Sequence, residues 1–189
     1  MLAYVFWHRP YPNIDSRQYE ESIVRFQGDL SRQPPPGFIG ASSFQIGPVP
    51  WLGDQPGYED WCLLEGSWAM DLLNAFAVAG HVQGSHDSVA AQMAEGHGGL
   101  YAHVFGDTPS ASQSTICWLT RPRGIQWRAV LEGVRARYPN ANFWRRQMVL
   151  GPAAEFAVEV PAHSAFEAPP GWQARSVLRV RLPRAAGTR

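Results

Sequence analysis

Aromatic residues and histidine alternate along two short apolar segments of the chain. In the segment YVFWH, Tyr4, Phe6 and His8 fall on one side of an extended backbone, and in LYAHVF, Tyr101 and His103 do the same. An imidazole titrates near neutral pH and can act as a general base. The pattern predicts a pocket for a flat, largely apolar molecule, with His8 and His103 as candidate catalytic residues. The alternative for both histidines is a core position in which one neighbouring side chain satisfies the ring.

Other aromatic and charged side chains complete the predicted pocket. Trp61 and Glu65 alternate on a later strand, and Arg146 enters from the second half of the chain, or Arg145 if the register differs by one residue. No side chains have the spacing of a metal site, so we predict none. The candidate ligand-binding residues are Tyr4, Phe6, Trp61, Glu65, Tyr101, Trp118 and Arg146.

The elements that position these residues occur twice in the same order. An apolar strand ends at Arg-Pro in both copies, because proline has no amide hydrogen for the strand ladder. A helix follows each strand, and Asp15 is the predicted N-cap of the first helix. The matched strands are 4–10 and 116–122, then 38–48 and 142–152, which both end in Gly-Pro, then 59–65 and 155–160.

The two copies diverge after the third strand. The first copy has two predicted helices, capped by Ser67 and Ser85, followed by a turn at 96–99 (GHGG) and a closing strand at 100–105. The second has a proline-rich stretch, 161–173, so its second helix is short or missing. This unequal duplication predicts one site, in the N-terminal half.

The matched order predicts an α+β chain made of two ferredoxin-like β-α-β repeats with antiparallel sheets. Residues 1–106 form the first repeat with its helical insertion, and residues 107–114 form the linker. Residues 115–182 form the second, shortened repeat, and residues 183–189 form a tail.

A β-α-β-β-α-β unit that occurs twice resembles the dimeric α/β-barrel superfamily in its fused form. The resemblance covers nearly the whole chain, but it is one of element order, without a catalytic signature. It implies a pseudo-dimeric barrel with a pocket inside it, or between sheet and helices. Members include muconolactone isomerases, antibiotic biosynthesis monooxygenases, and haem-binding chlorite dismutases and dye-decolourising peroxidases. We expect the aromatic strand faces to line the barrel, with His8 close to His103 and Trp118 in the position of Phe6.

Composition excludes several classes of function. All sixteen basic residues among the 189 are arginine, so a Schiff-base lysine is excluded. The net charge is zero, so we expect no nucleic-acid partner. No long apolar run or basic leader occurs, so we expect no membrane span or signal peptide, and a cytoplasmic location with Cys62 and Cys117 reduced.

These observations favour a cofactor-independent oxygenase or isomerase acting on a small aromatic or hydrophobic molecule. The alternative is a non-catalytic module that binds a hydrophobic ligand or has a purely structural role, and haem binding is a further alternative. Because a fused barrel contains its own partner, we expect a monomer or a weak homodimer.

Overall fold

The computed structural model describes residues 1–107, 112–149 and 152–184. Within these ranges the chain is mixed α+β, with eight strands, four α-helices and one short 3₁₀-helix at Pro50–Leu52. The strands are β1 (Leu2–Pro10), β2 (Phe38–Val49), β3 (Gln55–Leu64), β4 (Met93–Phe105), β5 (Gln113–Thr120), β6 (Asn142–Val149), β7 (Phe156–Pro161) and β8 (Gln173–Arg181). The helices are α1 (Ser16–Arg32), α2 (Trp68–Ala77), α3 (Gly80–Gln92) and α4 (Trp127–Arg137).

The eight strands form one closed barrel in the order β1-β3-β2-β8-β5-β7-β6-β4. Every neighbouring pair is antiparallel. The first four strands lie in the order β4-β1-β3-β2, and the last four lie in the equivalent order β8-β5-β7-β6. The halves are joined where the second strand of each meets the fourth strand of the other.

One hydrophobic cluster occupies the barrel interior and receives side chains from all eight strands. Its largest members are the fully buried indoles of Trp7, Trp61, Trp118 and Trp144, which contact one another edge to face. The ring centroids of Trp7 and Trp118 are 5.0 Å apart. An eight-stranded barrel has an interior just wide enough to be filled by side chains, and these rings fill it.

The interior is lined by the face of β1 that we expected to contact helices. Ala3 and Trp7 point into the barrel, whereas Tyr4 and His8 lie on the outer face. The reason is the strand register: Ala3 lies opposite Tyr101 of β4, and residues that face each other across a ladder share a side of the sheet. The prediction that both aromatic faces line the barrel was wrong for β1.

The orientation of β1 also changes which residues of the two halves are equivalent. Trp118 lies inside the barrel with Trp7, whereas Phe6 lies outside. Trp118 therefore occupies the position of Trp7, and the expected match with Phe6 was wrong. Arg9 comes two residues after Trp7, whereas Arg121 comes three residues after Trp118. Matching the two Arg-Pro dipeptides therefore misaligned the strands by one residue.

An ion-paired cluster lies among the tryptophans. Arg179 Nη1 is 3.0 Å from Glu59 Oε1, and both side chains are fully buried. The second amino group of Arg179 forms an ion pair with Glu159. Glu59 also accepts hydrogen bonds from the indole nitrogens of Trp7 and Trp61, at 2.9 and 2.5 Å. Buried charges persist only when they are paired and hydrogen-bonded in this way.

The helices cover the outer faces of the barrel. Helices α1, α2 and α3 pack on the first half, and α4 packs on the second half beside residues 162–172, which contain no helix. The structure thus has no helix between β7 and β8, where the sequence predicted a short or missing one. No helix in the described ranges is long and apolar enough to cross a membrane.

Several predicted boundaries need correction. Asp15 is the N-cap of α1, as expected, and accepts a hydrogen bond from the backbone of Gln18 at 3.0 Å. Ser67 makes no capping hydrogen bond, and Ser85 lies inside α3. The GHGG segment is part of β4 rather than a turn.

We predict that Arg179→Met lowers the free energy of unfolding by about 3–5 kcal/mol, because both carboxylates are left buried without their cation. The matched control is Arg128→Met, at an exposed position on α4, which should change it by less than about 0.5 kcal/mol. Urea denaturation followed by tryptophan fluorescence measures both. Equal effects of the two substitutions would contradict a structural role for the cluster.

The pH dependence of stability should reveal the charge state of Glu59. Burial raises the pKa of Glu59, and Arg179 with the two indoles only partly offsets it. A folded-state pKa above the unfolded value of about 4.3 gives stability that is present at low pH and lost as pH rises. The wild type should therefore gain stability relative to Glu59→Gln as the pH falls from 7 towards 4.5. If the stability difference between the wild type and Glu59→Gln stays constant or shrinks as the pH falls from 7 to 4.5, the raised pKa of Glu59 is contradicted.

Candidate functional site

A pocket of about 180 Å³ lies outside the barrel, between the sheet and the three helices of the first half. We call it the helix-covered pocket. Its floor is the outer face of β1 and β3, and α1, α2 and α3 form its walls. Most of its lining is apolar, and the polar side chains that line it include His8, Gln27, Asp60, Asn74 and His86. An apolar cavity with a few polar groups is typical of small-molecule sites.

Stacked rings on β1 form the floor of the pocket. The ring centroids of Tyr4 and Phe6 are 6.2 Å apart, and those of Phe6 and His8 are 5.5 Å apart. The rings lie against β4 where it has glycine: a Cβ on Gly96 would be 2.5 Å from Phe6 Cζ, and one on Gly98 would be 2.8 Å from Tyr4 Oη. The glycines of the GHGG segment therefore make room for the aromatic floor.

His8 is 1% exposed and has a polar side chain beside each ring nitrogen. Nδ1 is 2.7 Å from the hydroxyl of Tyr19 on α1. Nε2 is 3.3 Å from Asp60 Oδ2, which is within ion-pair distance but does not have hydrogen-bond geometry. The Tyr19 hydroxyl and the Asp60 carboxylate are thus the polar groups that lie beside the two ring nitrogens of His8.

The tyrosine and cysteine side chains around His8 stay protonated near neutral pH. Burial raises the pKa of Tyr4 to about 12, with smaller contributions from Cys62 and Asp60. Burial, followed by the charge of Asp60, also raises the pKa of Tyr19 and of Cys62. Near neutral pH the two phenols and the thiol are therefore neutral. Cys62 is thus a protonated wall residue rather than a nucleophile.

The predicted site residues divide between the two faces of the sheet. Tyr4, Phe6 and His8 line the helix-covered pocket. Trp61, Tyr101 and Trp118 are fully buried in the barrel interior, where the Tyr101 hydroxyl donates to the carbonyl of Ala154 at 2.7 Å. The structure therefore does not bring the predicted set into one pocket.

The two candidate histidines lie far apart. His8 is opposite Gly96, seven residues along β4 from His103, which is about 23 Å at the usual strand rise. The expectation that they are close was wrong, because antiparallel pairing puts the end of β1 beside the start of β4. The ring of His103 packs 4.7 Å from that of Trp144, and burial lowers the pKa of His103.

The two remaining candidates are Glu65, just beyond β3, and Arg146, within β6. Glu65 is exposed beyond the end of β3, so its predicted place in a pocket was wrong. Arg146 pairs with Tyr101 across β4 and β6, and it donates to the carbonyl of Ala153 at 2.8 Å. Arg145 instead lies 4.5 Å over the ring of Trp127 on the outer face. Arg146, not its neighbour, is therefore on the Tyr101 side of the sheet.

The sequence-based prediction missed Asp60, Tyr19 and Gln27. Asp60 alternates with Trp61 on β3, and a carboxylate inside an apolar strand was a usable signal. Tyr19 belongs to the apolar stripe of α1 and looked like an ordinary core residue. Nothing in the spacing of Gln27 marks it as a pocket residue.

Comparison with known proteins finds similarity in structure only. No protein-family model matches the chain, and no curated protein matches its sequence. An anthrone oxidase-like protein superposes with a TM-score of 0.54 at 9% identity, over 98% of this chain and 93% of that one. A "putative monooxygenase" of Lactobacillus acidophilus gives 0.56 at 11% identity, over 96% and 94%. A "putative chlorite dismutase" gives 0.50 at 11% identity, over 96% and 95%.

These three structures belong to the dimeric α+β-barrel fold, and the chain has that fold. The coverage is nearly complete in both directions, so the similarity extends over the whole barrel rather than one half. At this level of identity it identifies the fold and not the chemistry.

We predict that Tyr19→Phe lowers the free energy of unfolding by about 1–3 kcal/mol, because Nδ1 of His8 is left buried without its partner. Tyr11→Phe, at a 48% exposed position just after β1, is the matched control and should have little effect. Urea denaturation compares the two. If Tyr19→Phe were as harmless as the control, the hydroxyl would not hold the imidazole.

Proposed function

We propose that the chain is a cofactor-independent oxygenase or isomerase that binds a small aromatic or hydrophobic molecule in the helix-covered pocket. The observation that carries the proposal is the position of His8. It is a buried imidazole in the floor of an apolar pocket, with Tyr19 and Asp60 placed to stabilise its protonated form. A general base needs such stabilisation when it accepts a proton.

The reaction begins with transfer of a proton from an acidic C–H or O–H group of the substrate to Nε2 of His8. The Asp60 carboxylate stabilises the new positive charge at 3.3 Å, and Nδ1–H donates to Tyr19. In an isomerase, the proton returns to a different carbon of the substrate anion. In an oxygenase, O₂ is the oxidant: the carbanion and O₂ combine through electron transfer to form a C–O bond, and the resulting peroxide anion takes the proton back from His8. The O–O bond of the hydroperoxide then breaks with loss of water, so one oxygen atom remains as a carbonyl and the other leaves as water.

Two structural relatives have names that agree with this chemistry. One is anthrone oxidase-like and one is described as a monooxygenase. From these names we take only a class of substrate for the present chain. It is a ring compound that gives a stabilised anion when it loses a proton. The aromatic floor and neutral walls of the pocket suit such a ring.

Haem is the cofactor that the third relative and the sequence resemblance suggest, but the pocket does not fit it. A haem is far larger than the 180 Å³ available in the helix-covered pocket. Nε2 of His103 has no hydrogen-bond partner among the described residues, but its ring packs on Trp144 in the filled barrel. We derive no step through haem.

A non-catalytic module is the second candidate. Both nitrogens of His8 have neighbours, which also suits a core histidine whose role is structural. In that case the pocket would bind a hydrophobic molecule without changing it, or would be closed by packing.

We also infer that the two halves are ferredoxin-like repeats, at 1–106 and 115–182, with a linker at 107–114 and a tail at 183–189. The equivalent strand order of the halves supports this. Part of the linker and most of the tail lie outside the described residues. The two free, buried cysteines agree with a cytoplasmic location, and we propose a monomer or weak homodimer with no nucleic-acid partner.

The proposal predicts that His8→Gln lowers the rate about 10²–10⁴-fold, as expected for loss of a general base. Anthrone, a naphthol and a cyclic enone are incubated with the protein, and oxygen uptake and product formation are measured. His103→Gln, the other candidate base, is the matched control and should keep wild-type turnover. Circular dichroism shows whether each variant is folded.

Asp60→Asn keeps the shape of the site and removes the charge, so it should also lower turnover. Full activity in both His8→Gln and Asp60→Asn would disprove the mechanism. If the wild type turns over none of the three compounds but binds them, the result favours the non-catalytic candidate.

A further inference from the structure

Four buried polar atoms lie without hydrogen-bond partners around the inner side of α1. They are both amide atoms of Gln27, Oγ of Ser43 and Oδ1 of Asp60, within the described part of the chain. Ser43 is 5% exposed and Asp60 is 8% exposed. Each buried polar atom that stays unsatisfied costs about 1–3 kcal/mol, so a group of four beside two cavities marks a place where a bound polar group would gain hydrogen bonds.

These side chains are neighbours across the sheet. Ser43 of β2 lies directly opposite Asp60 of β3, so the two share the outer face. The next residue along β2, Phe44, belongs to the barrel interior, which agrees with Ser43 pointing outwards. Gln27 comes from α1, which packs over this part of the sheet.

Gln27 separates two cavities. One is the helix-covered pocket, which Asp60 also lines. The other is a groove of about 320 Å³ between α1, β2 and the end of β8, which we call the β2 groove, and Ser43 lines it. The amide of Gln27 thus forms part of both walls, and the unpartnered atoms lie along the boundary between the cavities.

The two cavities differ in character. The helix-covered pocket is mainly apolar and contains the proposed base, His8. The β2 groove is more polar: Arg181 and Arg184 line it, and no acidic side chain does among the described residues. The pocket alone is smaller than the roughly 300–1,000 Å³ of typical ligand sites, whereas pocket and groove together lie within that range.

We propose that the two cavities form one bipartite binding site divided by Gln27, which rests on the helix-covered pocket being the ligand site. Its ligand is an amphipathic small molecule with three parts. An apolar ring lies in the pocket, and a polar or anionic tail lies in the groove. Between them, a hydroxyl or amide group donates a hydrogen bond to the Asp60 carboxylate and exchanges hydrogen bonds with Gln27 and Ser43. Gln27 is a specificity-determining residue, because its amide offers both donors and an acceptor at the boundary.

Two probes of equal length test the central hydrogen bonds. Naphthoylglycine has a ring, an amide in the middle and a carboxylate tail. Naphthylbutanoic acid has the same ring and tail, with methylene groups in place of the amide. Calorimetric titration should show that Gln27→Leu weakens binding of naphthoylglycine about tenfold and that of naphthylbutanoic acid less than about twofold.

The matched control is Gln18→Leu, at an exposed position on the same helix, which should change neither affinity. The thermal midpoint of Gln27→Leu without ligand should equal or exceed that of the wild type, because the substitution removes two unsatisfied buried atoms. Equal loss of affinity for both probes, or no loss, would overturn the role of Gln27. Failure of naphthoylglycine to bind the wild type at millimolar concentration would overturn the site itself.

Amide NMR spectra of isotope-labelled protein locate the probes. Naphthalene should shift signals of the pocket residues Val89 and Ala90 only, whereas naphthoylglycine should also shift those of the groove residues Gly40 and Ala41. Shifts confined to one cavity with the long probe would disprove the bipartite site. Because these experiments measure binding and not turnover, a catalytically inactive protein that gives the expected shifts would refute the proposed enzyme and keep the bipartite site.

Discussion

The filling of the barrel is the constraint on which the rest of the structure depends. Arg179 lies fully buried among tryptophan rings, and such a cation is tolerable only with its carboxylate partners, Glu59 and Glu159. The indoles that fill the interior also donate to Glu59, so apolar packing and charge pairing are satisfied by the same residues. With the centre occupied in this way, space for a ligand is found where the helices rest on the outside of the barrel.

The outer face of the first half shows how such space is made. Stacked rings rise from β1 on the side that the helices cover, and glycine on β4 accommodates them. The buried hydroxyl of Tyr19 reaches down from α1 to His8, so the helix and the imidazole fix each other's position. The pocket floor, His8 and the covering helix are thus parts of one arrangement, which explains how the polar pair of His8 and Tyr19 can persist in an apolar wall.

The sequence predicted the order of the elements well and the faces of the strands poorly. Breaker residues and capping groups are local, so the Arg-Pro strand ends and the Asp15 cap could be recognised without tertiary information. Both faces of β1 are apolar or aromatic, so alternation alone could not show which one lies inside. That choice depends on cross-strand register, such as Ala3 facing Tyr101, and a register is a property of two strands together. Asp60 carried a local signal, as a carboxylate inside an apolar strand, but its place beside His8 likewise depends on cross-strand register.

The second half of the barrel shows that the fold does not require the polar pair. When the halves are matched through the interior tryptophans, the strand pairing puts Leu119 where the first half has His8, and Val158 where it has Asp60. There the outer face is closed by an apolar cluster under α4 and residues 162–172. The equivalent strands of the second half thus fold with leucine and valine at these positions, and these two side chains bring no charge and no polar atom into the interior. A buried imidazole and carboxylate in the first half alone are therefore a departure from what stability requires, and the proposed chemistry in the pocket that they line would account for it.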